Sequence, residues 1–355
     1  MRTRGETKSV SRSDIKVAMG LLDIRHIVGN QDLTIDVATD ANKQWRGRIR
    51  AYLPMVRESI VQRTLAFGEL AFLLEPDLKE ARGGLRDITT IRALDRSGFV
   101  PIALGRVAES EAFFTSVRDI LHGVTGRPRD QLLLTEQDAV AAAMGFTSAD
   151  ALMLEVSKAA RAVDYVMQVA WHLIDERLHR ISLRRSRTVP IAKGLVRFRN
   201  EIGLITDYDI GSDPGIGLRA AAIAAQRGVR LSPETAMHIA ANFKELPIPW
   251  PDQSREDLVA FLGAGASMLN VFEALDQEGL IERWIPEWGH LRFLPQRNVL
   301  HHHTVDRHML EAAIRAAALT REVHRPDLLL VGALFHDLGK GYPGKDHSEF
   351  GATFD

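Results

Sequence analysis

The chain has 355 residues, with 45 Lys+Arg against 46 Asp+Glu, a formal net charge of −1 and no cysteine. At roughly 150 residues per domain the length suggests about two domains, and the near-neutral charge argues against a general nucleic-acid binder. The lack of cysteine excludes disulfides, thiolate zinc sites, iron–sulfur clusters and cysteine nucleophiles. The 13 histidines are therefore the main candidates for metal or acid–base chemistry. Residues 1–13 are basic and polar, with no apolar stretch of signal-peptide type behind them. Apolar runs such as 328–335 fall far short of the ~20 residues that span a bilayer. Neither membrane nor nucleic acid is an expected partner, and the expected location is cytoplasmic.

Most of the chain reads as helix. Ile15, Met19, Leu22 and Ile27 recur near the 3.6 period and predict a helix over 15–27. A second runs over 55–74 and stops at Pro76. Residues 90–94, 112–122 and 136–144 are further helices, the last closed by Gly145, and 150–177 is a long Ala-rich amphipathic one. The texture changes near Leu178, where Arg184, Arg185 and Arg187 form a basic cluster; this reads as a solvated loop able to dock an acidic surface. Residues 196–208 read as a small hairpin with its turn at 200–203. Helices follow over 218–226, over 232–242 with Ser232 as N-cap, and over 258–278 with Gly279 at its end. Two more, 305–320 and 328–339, close the series.

Two stretches carry chemistry. Glu75 to Ile88 reads EPDLKEARGGLRDI: a Gly83-Gly84 turn at a helix start with Lys79, Arg82 and Arg86 around it and Asp87 adjacent. Such a turn can receive phosphate or an acidic loop. On composition alone it reads better as a structural turn whose Arg86 and Asp87 pair with neighbours. The second stretch holds Val305-Asp306-Arg307-His308 on one helix and Phe335-His336-Asp337-Leu338-Gly339-Lys340 at the end of the next. His308 and His336 stand 28 positions apart, so antiparallel packing of the two helices can bring both to one cleft. His336 and Asp337 offer a nitrogen and an oxygen ligand, suited to Mg, Mn, Zn or Fe. His347 follows in DHSE, and His301 to His303 form a separate loop-like run.

The His…His-Asp spacing resembles the HD superfamily of metal-dependent phosphohydrolases. The order of motifs, with LDIR, EPDLKEARGGLRDI, LHxxTGR, IPEW, HTVDRHML, FHDLGKG and DHSEFGA, resembles the bifunctional uridylyltransferase/uridylyl-removing enzymes of the PII nitrogen-signalling protein nearly end to end. That resemblance implies a mainly α fold with one small β-hairpin. Residues 1–295 would be the helical part of a nucleotidyltransferase domain and 296–355 the first half of an all-α HD domain. It implies UTP or ATP as substrate, PII as partner, and hydrolysis of a nucleotidyl–tyrosine phosphodiester with a divalent metal. His308, His336, Asp337 and His347 become metal ligands and Lys340 a phosphate-side group. Asp23, Arg25, Lys79, Arg82, Gly83, Gly84, Arg86 and Asp87 become nucleotide or partner contacts. The family's Gly-Ser turn with an Asp-x-Asp pair is not found; Asp207-Tyr208-Asp209 lacks that turn and reads as loop. The chain therefore reads as a middle piece, without the ACT sensor domains. The competing functions are a non-catalytic PII-binding scaffold and a stand-alone HD phosphohydrolase on nucleotides.

Overall fold

The computed structural model describes residues 3–179, 188–294, 304–342 and 351. The fold is mainly α, in two compact units, Met1–Ser182 and Leu183–Asp355.

The first unit is all helix. Helix α1 (Arg4–Ser13) opens with a capping box between Thr3 and Glu6, and α2 (Ile15–Gly20) is capped by Asp14. The helix expected over 15–27 stops at Gly20 and tightens into a 3₁₀ turn at Leu21–Asp23. Helix α3 then runs for 37 residues, Gln31–Phe67, with Asn30 accepting from the Leu33 N–H, Pro54 inside it and Gly68 (φ +71°) at its end. It starts well before the expected 55, because its buried stripe is narrow: only Trp45, Ile49, Tyr52, Leu53 and Val56 are fully covered. Helices α4 (Leu85–Arg96), α5 (Gly105–Thr125), α6 (Leu134–Met144) and α7 (Ala149–His179) follow. Gly126 and Gly145 end α5 and α6 in the left-handed conformation. In the core the Trp45 and Tyr52 rings stack at 5.0 Å, and the Trp45 indole donates to the Ala93 carbonyl at 2.7 Å.

The second unit opens on a four-stranded sheet rather than a single hairpin. Strands β1 (Val189–Ala192), β2 (Leu195–Phe198) and β3 (Glu201–Leu204) are antiparallel neighbours; β4 (Arg230–Leu231) pairs parallel with β3. Helix α8 (Ile216–Gln226) makes the crossover that parallel pairing demands, and α9 (Pro233–Ala241) starts on the expected Ser232 cap. The helix expected over 258–278 is two: α10 (Asp252–Leu262) and α11 (Met268–Gln277), broken where Gly265 takes φ +60°. Short α12 (Leu280–Trp284) and α13 (Trp288–Leu291) lead to α14 (Val305–Ala318) and α15 (Pro326–Phe335), which ends in a 3₁₀ turn at Leu338–Gly341. One hydrophobic cluster joins Leu195 of β2, Trp288 of α13, Met309 of α14 and Leu338. The division at 295/296 read from the sequence is one of resemblance; the compact units divide at 182/183.

Candidate functional site

Helices α14 and α15 pack together as the 28-residue spacing requires. The His308 N–H joins the first turn of α14 by donating to the Thr304 carbonyl at 2.9 Å. Helix α15 is apolar almost throughout and buries Leu330 and Leu334, which leaves His336 as its C-cap at the surface. The two Nε2 atoms of His308 and His336 lie 3.3 Å apart. Asp337 Oδ2 is 3.3 Å from His336 Nε2 and 3.7 Å from His308 Nε2. All three donor atoms fall within 4.8 Å of one another. Donors bound to a common ion at about 2.1 Å stand about 3.0–3.4 Å apart for octahedral or tetrahedral angles; two of the three separations fall in that range and the His308–Asp337 one is slightly longer, so a small closure of that pair would suit one divalent cation.

The surroundings agree with that role. His336 Nδ1 is 3.0 Å from the Ala333 carbonyl. A carbonyl only accepts, so Nδ1 carries the proton and the Nε2 lone pair faces the cluster. Asp337 is 6 % exposed. Burial pushes its carboxyl up, but the hydrogen bond from the His336 ring when Nε2 is protonated as well, and that from Lys340, outweigh this and hold it well below the ordinary carboxylate range. The same contact with Asp337 raises the His336 imidazole above its usual value. Lys340, on the 3₁₀ turn, donates to Asp337 Oδ2 at 2.7 Å. His347, His301 to His303 and the Arg184, Arg185, Arg187 cluster lie outside the described residues.

The glycine turn is built differently. Gly83 has φ +89°, and its N–H donates to Asp87 Oδ2 at 2.8 Å. Asp87 is fully buried and accepts at 2.5 Å from Arg63 of α3. Arg82 makes a fork to Asp164 of α7, at 2.7 and 3.1 Å. Burial pushes the Asp164 carboxyl up, and the Arg82 guanidinium opposes that. Lys79 reaches Asp130 at 3.1 Å, where Arg118 and His122 also converge. Arg86 pairs with Glu80 at 3.0 Å. A Cβ on Gly84 would stand 2.7 Å from the Leu78 carbonyl oxygen. Asp23 pairs with Arg96 at 2.6 Å, away from that turn in sequence, and Arg25 is exposed in the coil after the 3₁₀ turn. The structure therefore gathers Arg82, Gly83, Gly84 and Asp87 into one ion-paired knot. Arg63 and Asp164, which the sequence does not single out, are its counter-charges, while Lys79 pairs separately with Asp130, a residue of the motif series, which Arg118 shares. Asp207 and Asp209 lie in the irregular segment after β3, where Tyr208 donates to Asp213 at 2.6 Å.

Two helices present a histidine and a His-Asp pair to one point, a donor set able to hold a metal ion, and residues 305–354 match the HD domain model. Residues 54–97 and 89–171 match the model described as GlnD PII-uridylyltransferase. Curated relatives named bifunctional uridylyltransferase/uridylyl-removing enzyme include one from Streptomyces coelicolor, 44% identical over 99% of this chain and 44% of its own length. Others are from Mycobacterium tuberculosis (38% identical, 99% and 45%) and Corynebacterium glutamicum (31%, 99% and 51%). Over the stretch it spans, the chain is similar to these proteins from end to end. It spans about half the length of the curated relatives it matches. No solved structure matches it. Among the described residues, no single helix is long and apolar enough to cross a membrane.

Proposed function

We propose that the second unit carries the nucleotidyl-removing half of a PII-modifying enzyme of the cytoplasm. It hydrolyses the phosphodiester that joins UMP or AMP to a PII tyrosine, and His308, His336 and Asp337 hold Mn²⁺ or Mg²⁺, with Zn²⁺ or Fe as alternatives. The observation that carries this reading is the convergence of those three donor atoms within 4.8 Å. A cation bound there lowers the pKa of its water and supplies hydroxide near neutral pH. The two imidazoles meet the cluster through Nε2, His336 with its ring direction set by Ala333. Lys340 brings a positive charge to the edge of the cluster, where the phosphodiester needs neutralising.

For the first unit, the proposal is a helical framework of the transferase half, which takes UTP or ATP and PII. The pairing of Lys79, Arg82, Arg86 and Asp87 with neighbours supports a framework more than a phosphate cradle. The test is release of nucleotide from nucleotidylated PII by this chain with Mn²⁺. His336→Ala with Asp337→Ala is expected to lower the rate by about 100-fold or more. Unchanged release in the double variant would sink the metal assignment, and no release by the unaltered chain points to a PII-binding scaffold.

A further inference from the structure

The turn that follows the metal-ligand pair rests on a helix outside the HD segment. Residues Leu338–Gly341 carry Lys340 directly behind His336 and Asp337. Gly341 lies hard against His290 of α13: a Cβ at 341 would stand 2.7 Å from His290 Cβ and 3.2 Å from its carbonyl carbon and oxygen. Those atoms belong to the backbone or the root of the side chain, so the overlap cannot be relieved by rotating a side chain. Gly289 offers a contrast, since a Cβ there meets the carboxylate end of Glu282, which can swing away. Beyond Gly341, the Tyr342 ring sits 4.7 Å from the His290 imidazole. Helix α13 is itself anchored. Trp288 and Leu291 are fully buried, and the Trp288 ring meets Phe272 of α11 edge-on at 5.1 Å.

We infer that α13 is the seat that fixes the ligand turn, with Gly341 and His290 as positioning residues for Asp337 and Lys340. The inference rests on the cation-site reading above. Moving the 341 backbone off His290 shifts it by about 1 Å, because ordinary carbon contacts begin near 3.5 Å. The 3₁₀ turn is short and hydrogen-bonded, with the Lys340 N–H on the Asp337 carbonyl at 3.0 Å and the Tyr342 N–H on that of Gly339 at 3.2 Å. It passes such a shift on to Asp337 instead of absorbing it. A cluster whose donors stand 3.3–3.7 Å apart loses its fit over such a distance.

The experiment uses the full chain with Gly341→Ala, checked for folding by circular dichroism. Mn²⁺ binding is read by calorimetry, and hydrogen exchange is read over 286–291 and 336–342, with first-unit peptides as reference. Mn²⁺ affinity is expected to fall about tenfold or more, the range for outer partners of metal ligands, and exchange to rise in both segments while the reference stays unchanged. Adding His290→Gly removes the clashing Cβ and is expected to restore affinity to within about threefold of the unaltered chain; adding His290→Ala keeps the Cβ and is expected not to. Unaltered binding and exchange in Gly341→Ala, or equal rescue by Ala and Gly at 290, overturns the inference. If the unaltered chain binds no Mn²⁺, the cation-site reading fails. The exchange arm then decides the seat alone, a rise over 336–342 supporting it and no rise overturning it.

Discussion

Gly83 and Asp87 lock each other: the Gly83 N–H ends on a buried carboxylate whose other oxygen takes Arg63. A Cβ at 83 would lie 2.7 Å from the Ala160 carbonyl oxygen, and φ +89° already disfavours it. Gly83→Ala is therefore expected to destabilise the first unit by about 2–3 kcal/mol, measured by urea denaturation. Asp213 gives a pH-dependent counterpart. Its carboxyl is pulled down to about 2, chiefly by the hydrogen-bonded fork of Arg219, against the opposing effect of burial. A carboxylate depressed in the folded state stabilises above its unfolded pKa near ~3.9 and loses that contribution as pH falls toward the folded value. Acid titration is expected to remove about 2 kcal/mol between about pH 4 and pH 2, and Asp213→Asn to flatten that slope. The turn's glycines and charges were legible from EPDLKEARGGLRDI, as was the option that they pair locally. Their partners were not: Asp164 lies 82 positions from Arg82, and no local pattern ties the two.

Helix α3 shows what periodicity can and cannot read. Its buried residues begin at Trp45, while Leu33 and Ile35 near its start are 54 % exposed, so its first turns carry no inward stripe. The break between α10 and α11 escaped for the opposite reason: both helices bury a face, with Phe261 and Leu262 before the break and Met268 and Val271 after it, so the apolar period continues across. Strand β4 has two residues, too few for an alternating pattern. Caps and stops written in residue type, such as Ser232 and Gly145, were read correctly. Pro54 offers a test at this scale. It sits exposed inside α3, where it removes one helical N–H. Pro54→Ala is expected to stabilise the first unit by about 1–3 kcal/mol, read as an increased urea midpoint.

Across the whole molecule, the metal cluster is attached to a core that does not depend on it. Leu334 and Leu338, flanking the His-Asp pair, belong to the same hydrophobic cluster as strand β2 and helices α8 to α14. Asp337 is already balanced by Lys340 and His336, so no uncompensated buried charge waits for an ion. Folding and metal loading are thus separable here, unlike small zinc domains that unfold without metal. Exhaustive chelation is expected to leave unfolding of the second unit cooperative, lowering its thermal midpoint only by the mass-action contribution of the lost ion, about 5–10 °C for an ion present at about 100 times its Kd, while abolishing phosphodiester release. Loss of cooperative unfolding on chelation would contradict this. The shared core has a consequence for grafting. Residues 305–354 match the HD domain model, yet Leu310, Leu330 and Leu338 within them belong to a hydrophobic cluster that begins at β2. A chimera that transplants only that segment leaves behind Trp288, Leu291 and the apolar wall from β2 onward. The natural graft point for moving this donor cluster onto another protein is the start of the second unit.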